Sequence, residues 1–137
     1  MNDDEKRFAR AGGEAGQAGA SGIRAARLHA IKSDILENLR QRSFSIHGVA
    51  SRHGITVSYV RQLFAAEGIT FTEFVLQKRL AAADLMLRDP RYAGRSISAI
   101  AIEAGFGDVS YFNRIFRRRF GKRPSELREK ARGDGQN

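Results

Sequence analysis

The sequence contains no cysteine, which excludes disulfides, thiolate metal sites and cysteine nucleophiles outright. It also lacks any apolar run near the ~20 residues that a membrane span needs. Its N-terminus, MNDDEKRFARAGGEAGQ, is charged where a signal peptide would be apolar. A cytoplasmic setting with no membrane partner is expected. No segment alternates polar and apolar residues as a half-buried strand does. The three histidines, His29, His47 and His53, fall on different predicted faces or turns, and no His/Asp/Glu set has ligand spacing. No catalytic residue, metal or cofactor is expected, so the chain does not read as an enzyme. GFGDVS at 105–110 approaches a dinucleotide fingerprint, but Ser110 stands where the last glycine belongs and a predicted helix, not a strand, precedes it.

What the sequence does have is positive charge. It carries 24 Lys+Arg against 15 Asp+Glu, a formal +9 over 137 residues of which 42% are apolar. That length supports one compact domain or two very small ones packed together. Residues 1–22 hold three bases and four acids, so residues 23–137 carry +10. A polyanion is the natural partner, because each phosphate neutralised releases condensed counterion; charge alone is equally compatible with excess arginine that only aids solubility.

Along the chain, AGGEAGQAGASG within residues 1–22 offers nothing to bury, and a disordered tail or interdomain linker is expected there. From Ile23 the apolar residues take helical spacing, with Leu28, Ile31, Ile35, Leu36 and Leu39 forming one stripe. Ser45 can cap a short helix with Ile46, Val49 and Ala50 inward, and Gly54 ends it. A second helix starts near Val57; Val60, Leu63 and Phe64 point inward at i, i+3, i+4, leaving Ser58, Arg61 and Gln62 outward. Two short helices around a glycine turn form a helix-turn-helix pattern. Thr70 and Glu73 then have capping-box spacing, and a helix over 71–88 ends where Asp89 precedes Pro90. At ~1.5 Å per residue it is roughly 27 Å long.

After this helix the pattern is written again. VSYVRQLF at 57–64 becomes VSYFNRIF at 109–116, and Ile97, Ile100, Ala101 and Gly105 repeat Ile46, Val49, Ala50 and Gly54. The second copy points Phe112, Ile115, Phe116 and Phe120 inward and Ser110, Asn113, Arg114 and Arg117 outward, with Asp108 as N-cap. Pro124 suits the first turn of a last helix with Leu127 inward. The expected architecture is all-α, about seven helices: a first helix-turn-helix unit at 23–69, a linker helix at 70–90, a second unit at 91–132, and a disordered tail at 133–137. Major-groove faces recur every ~34 Å, so a linker of this length can set the helices near 57–67 and 109–120 into successive grooves from a single chain.

Over roughly residues 25–130 the chain resembles the DNA-binding domain of AraC/XylS-type bacterial transcription regulators. The resemblance is densest in IAIEAGFGDVSYFNRIFRRRFGKRPSELR: Gly105 and Phe106, the Ser-Tyr-Phe at 110–112, Arg114, Phe116, the Phe-Gly at 120–121, and Pro124 with Ser125. Arg79 and Leu80 in the linker helix fit as well. It implies sequence-specific binding of double-stranded DNA, with RNA polymerase as a further partner. Carried over by position, base contacts fall on Ser58, Arg61, Gln62, Val109, Ser110, Asn113 and Arg114. Phosphate contacts fall on Ser45, Tyr59, Ser96, Tyr111, Arg117, Arg118, Lys122 and Arg123. Arg114 suits guanine, Gln62 or Asn113 adenine, and Val109 a thymine methyl. Ser58 and Ser110 could equally touch phosphate or cap their helices, and the two tyrosines could equally pack.

Family members usually carry a large N-terminal effector or dimerisation domain, whereas some 22 residues precede the first helix here. Either a stand-alone regulator or the C-terminal piece of a longer protein is expected, and the Gly/Ala-rich tail favours the second. The rival reading is a nonspecific or architectural nucleic-acid-binding protein. Against it stand the mixed hydrogen-bonding side chains of both outward faces and the scarcity of exposed aromatic platforms.

Overall fold

A computed structural model describes residues 13–41 and 43–135, which form seven α-helices and no strand. In chain order these are α1 (Gly13–Asn38), α2 (Ile46–Arg52), α3 (Val57–Ala65), α4 (Phe71–Arg88), α5 (Ile97–Glu103), α6 (Val109–Phe120) and α7 (Pro124–Gly135), with a 3-10 turn at Pro90–Tyr92 after α4.

Side-chain caps fix most of the helix starts. Ser45, Thr56, Thr70, Ser96 and Asp108 each accept from the backbone N–H three residues on, at 3.0 to 3.2 Å. Each cap satisfies one of the donors that a helix start leaves open. Asp89 is extended before Pro90, and its carboxylate accepts from the Arg91 N–H at 2.9 Å, so α4 stops and the chain turns.

Burial divides into two apolar clusters. Leu28, Ile31, Ile35 and Leu39 of α1 meet Val49, Val60, Leu63 and Phe64 of α2 and α3, together with Phe71, Phe74 and Val75 from the start of α4. Leu80, Ala83, Met86 and Leu87 from the rest of α4 meet Ile100, Ala101, Phe106, Phe112, Ile115, Phe116 and Leu127. The linker helix therefore contributes one end to each core. Phe106, Phe112, Phe116 and Phe120 make a continuous aromatic row with centroids 4.6 to 5.4 Å apart, within the range where ring edges meet ring faces.

Three expectations are corrected. First, where a disordered tail or interdomain linker is expected at 1–22, α1 begins at Gly13, so residues 13–22 are helical and not disordered; residues 1–12 lie outside the described residues. Residues 19–27 of α1 are exposed. Over residues 19–27 no burial holds the helix: the packed turns from Leu28 onward nucleate it, and propagation from an existing helix avoids the cost of nucleation. Second, Leu36 is 53% exposed, because it stands ~100° around the helix from Ile35 and only one of the two can face α2 and α3. Third, α7 continues through residues 133–135, beyond the expected boundary at 132. Phe120, expected inward, is half-buried at the end of the aromatic row.

Asp34 of α1 ties the first unit together. It accepts from Arg52 at 3.0 and 3.1 Å and bonds His53 at 2.9 Å, joining the end of α2 to α1. Burial pushes its carboxyl up, but the Arg52 and His53 hydrogen bonds outweigh this and hold it below the ordinary 3.8. A depressed carboxylate contributes stability that is complete above the unfolded value and is lost as pH falls through the folded one. The first unit should soften below pH 3.8. Melts at descending pH should show a smaller acid loss in Asp34→Asn than in the parent; equal losses would remove Asp34 from the acid limb.

Candidate nucleic-acid interface

The two repeated octamers form the same object twice. In α3, Val60, Leu63 and Phe64 are buried while Ser58, Arg61 and Gln62 are exposed. In α6, Phe112, Ile115 and Phe116 are buried while Ser110, Asn113 and Arg114 are exposed. The outward faces therefore match position by position, Ser58 with Ser110, Arg61 with Asn113, Gln62 with Arg114. Each helix starts from a capped residue after a glycine turn, Gly54 with φ +64° in the first unit and Gly105 with φ +104° in the second. These are left-handed conformations in which a Cβ is unfavourable.

The outward face of α6 is the more basic. Arg114, Arg117 and Arg118 are exposed along it, and Lys122 follows beyond the Gly121 C-cap. Among the described residues, Arg61, Arg114, Arg117, Arg118 and Lys122 have no carboxylate at ion-pair distance. Their charge is uncommitted and available to an anion. Arg123 differs: its Nε bonds Glu126 at 2.8 Å on the exposed surface. A pair of this kind contributes only ~0–1 kcal/mol, so a phosphate can compete for the guanidinium.

Other expected contacts divide between packing and exposure. Tyr59 is half-buried against the first core, with the Arg27 guanidinium 5.8 Å above its ring. Tyr111 is 39% accessible, and Arg114 lies 5.6 Å over its ring. That stacking restricts where the Arg114 fork can point. Val109 is half-buried against the second core, leaving only part of its side chain outward. Ser45 and Ser96 spend an oxygen lone pair on capping; their hydroxyl hydrogens remain free to donate to an anion at the start of α2 and α5. Among the described residues, no group of His, Asp or Glu is placed to hold a metal, and no helix is long and apolar enough to cross a membrane.

Two residues escaped a functional reading from sequence. Arg79 in the middle of α4 and Gly105 in the second turn meet at the backbone of Leu39. No linear signal announces this, because the three positions are far apart in the chain and one partner is a backbone carbonyl.

Comparison with known proteins agrees with this geometry. Residues 49–130 match a family described as a helix-turn-helix domain, the AraC-type domain. The chain is 45% identical over 105 residues to the transcriptional activator RhrA of Rhizobium meliloti, covering 77% of this chain and 33% of that protein. Among solved structures, the C-terminal domain of the two-component response regulator YesN from Fusobacterium nucleatum is 27% identical with a TM-score of 0.66, covering 73% of this chain and 95% of the other. A Chromobacterium violaceum transcriptional regulator, described as containing an AraC-type DNA-binding domain, shares the fold at 23% identity and a TM-score of 0.63, with 83% and 96% covered. The chain spans about a third of the length of the curated relatives it matches. With the family matched across both units and both outward helices, the chain belongs to the AraC-type helix-turn-helix family of DNA-binding transcription regulators.

Proposed function

We propose that this chain recognises a specific double-stranded DNA sequence by laying α3 and α6 into successive major grooves, and thereby regulates transcription. The observation that carries this reading is the matched outward register of the two helices, polar where their inward faces are apolar. Direct readout then falls to Ser58, Arg61 and Gln62 in one half of the site, and to Val109, Ser110, Asn113 and Arg114 in the other. A guanidinium such as that of Arg114 matches guanine O6 and N7, and the amides of Gln62 and Asn113 match adenine N6 and N7. Ser45, Ser96, Tyr59, Tyr111, Arg117, Arg118, Lys122 and Arg123 set register by holding phosphates. RhrA is named a transcriptional activator; the same role is read here, with RNA polymerase as a second partner and without catalysis. An effector or dimerisation segment belongs to this reading wherever the chain is part of a longer protein.

The test is substitution scored on duplexes selected from a random pool. Arg114→Ala should cost about 1 to 3 kcal/mol and relax preference at one or two base pairs, whereas Arg118→Ala should weaken all sequences alike. Arg61→Ala combined with Gln62→Ala should relax preference about one helical turn, roughly 10 bp, away. All four side chains are exposed, so melting temperature should hold. Loss of binding without any change in preference would favour the nonspecific, architectural reading. If the double substitution changes nothing while Arg114→Ala abolishes binding, α3 is scaffold rather than reader.

A further inference from the structure

The two units do not share a core, so something else must fix the angle between their reading helices. Of the first unit, α3 packs on α4, and α5 and α7 of the second unit pack on it more extensively, but among the described residues no helix of the first unit packs extensively on one of the second. Between the units lies a cleft of about 530 Å³, bordered by Phe44, Ile46 and Phe71 on one side and by Phe106, Asp108 and Tyr111 on the other. Beside this cleft the end of α1 meets both the linker helix and the turn of the second unit. Arg79, projecting from the middle of α4, donates from Nε to the Leu39 carbonyl at 3.0 Å and from Nη2 to the Gln41 carbonyl at 3.2 Å. These carbonyls lie just beyond the C-terminal end of α1 at Asn38, where the negative end of the helix dipole favours a cation; the Gln41 carbonyl also accepts from the Phe44 N–H at 3.2 Å.

Gly105 completes the contact from the second unit. A Cβ built there would lie 2.6 Å from the Leu39 carbonyl oxygen and 2.7 Å from Arg79 Nε. The equivalent glycine of the first unit, Gly54, has nothing within 4 Å of its Cβ position. The two glycines hold the same place in the repeat, and both have positive φ. Turn geometry therefore accounts for both glycines but not for the crowding at one of them. That crowding comes from the first unit's backbone reaching the second unit's turn. Glu103 adds an exposed bridge at the same level, between Arg40 of the first unit and Arg95 of the second.

We infer that Arg79, the Leu39 carbonyl and Gly105 form a joint that sets the relative placement of α3 and α6, and with it the half-site spacing the protein accepts. Arg79 and Gly105 are positioning residues and touch no base. The inference rests on the reading of both helices as DNA readers, but part of its test needs no DNA.

Because the chain has no cysteine, Ala66→Cys and Glu129→Cys place one spin label in each unit without competition. Electron–electron distance measurement should give a narrow distribution in this doubly labelled parent. It should broaden or shift on adding Arg79→Met or Gly105→Ala, and stay narrow with Gly54→Ala, which suffers the same kind of backbone strain without the clash. On selected duplexes, moving the half-sites apart by one base pair should cost the parent at least about tenfold, since a site that cannot engage both units loses the advantage of the second. In Arg79→Met that penalty should fall below about threefold, with the affinity for each isolated half-site unchanged. Should Gly105→Ala fail to fold, Arg79→Met decides. A folded Arg79→Met with the parent's distance distribution and spacing penalty overturns the joint. If the parent prefers no duplex, the DNA reading fails, and the label distances still accept or reject the joint.

Discussion

Phe116→Ala is expected to lower stability by about 3 to 5 kcal/mol and to unfold the second unit. The ring is fully buried, with Phe112 and Phe120 at centroid distances of 5.4 and 4.6 Å. Two neighbouring aromatic rings and the facing helices cannot all collapse into the space it leaves, so a cavity cost adds to the lost transfer energy. A domain of this size has roughly 5 to 15 kcal/mol in total, and here the loss falls on one of two separate cores. Denaturant melts should show the fall in midpoint. Hydrogen exchange should show amides of α6 opening before those of α3. Leu85→Ala is the reference: Leu85 is 69% exposed in the half of the linker helix that contributes to the second core, and surface substitutions of this kind stay within about 0.5 kcal/mol. Equal midpoints for the two variants would mean that α6 does not seat Phe116 inward.

The linker helix shows how far local chemistry carries. Thr70 caps it and Asp89 before Pro90 ends it, and both bounds, Phe71 and Arg88, follow from single residues. The inward sets of α3 and α6 were equally legible, because three apolar residues at i, i+3 and i+4 define a face whatever the partner is. The start of α1 was not. Glycine-rich sequence has no burial to signal a helix, and the extension follows from propagation out of a packed segment rather than from its own residues. Long-range polar contacts were hidden for a different reason. Asp34 with Arg52 and His53, and Arg79 with the Leu39 carbonyl, are products of how helices dock; nothing in the spacing of the residues fixes them. Leu36 errs the other way, an apolar residue near the stripe that the docked helices leave in water. The outward direction of Ser58, Arg61, Gln62, Ser110, Asn113 and Arg114 could thus be inferred from sequence, while the partial burial of Val109 and the joint between the two helices could not.

Affinity for duplex DNA is expected to fall about a thousandfold or more between 50 and 200 mM salt. The prediction follows from which cations are uncommitted. Lys32, Arg52, Arg88, Arg91 and Arg95 are paired with carboxylates of the chain itself, and binding DNA through them would exchange one partner for another. Arg61, Arg114, Arg117, Arg118 and Lys122 have no such partner among the described residues. With Arg123, whose exposed pair with Glu126 is weak, they supply about six cations on or beside the outward helices, and each phosphate neutralised contributes about −0.9 to the slope of log K against log salt concentration. Six contacts give roughly −5, and further contacts, up to about ten, take it to −9. Five of the six lie on α6 or just beyond it within the second unit's basic stretch, so Arg117→Ala with Arg118→Ala should lower the slope by about 2, while Arg61→Ala, at a base-reading position, should change it little. Titrations of one selected duplex at four or five salt concentrations measure all three slopes. A parent slope near zero would mean that the excess of arginine serves solubility and that phosphate neutralisation does not drive binding. A steep parent slope left unchanged by the α6 substitutions would move the phosphate track to a different face.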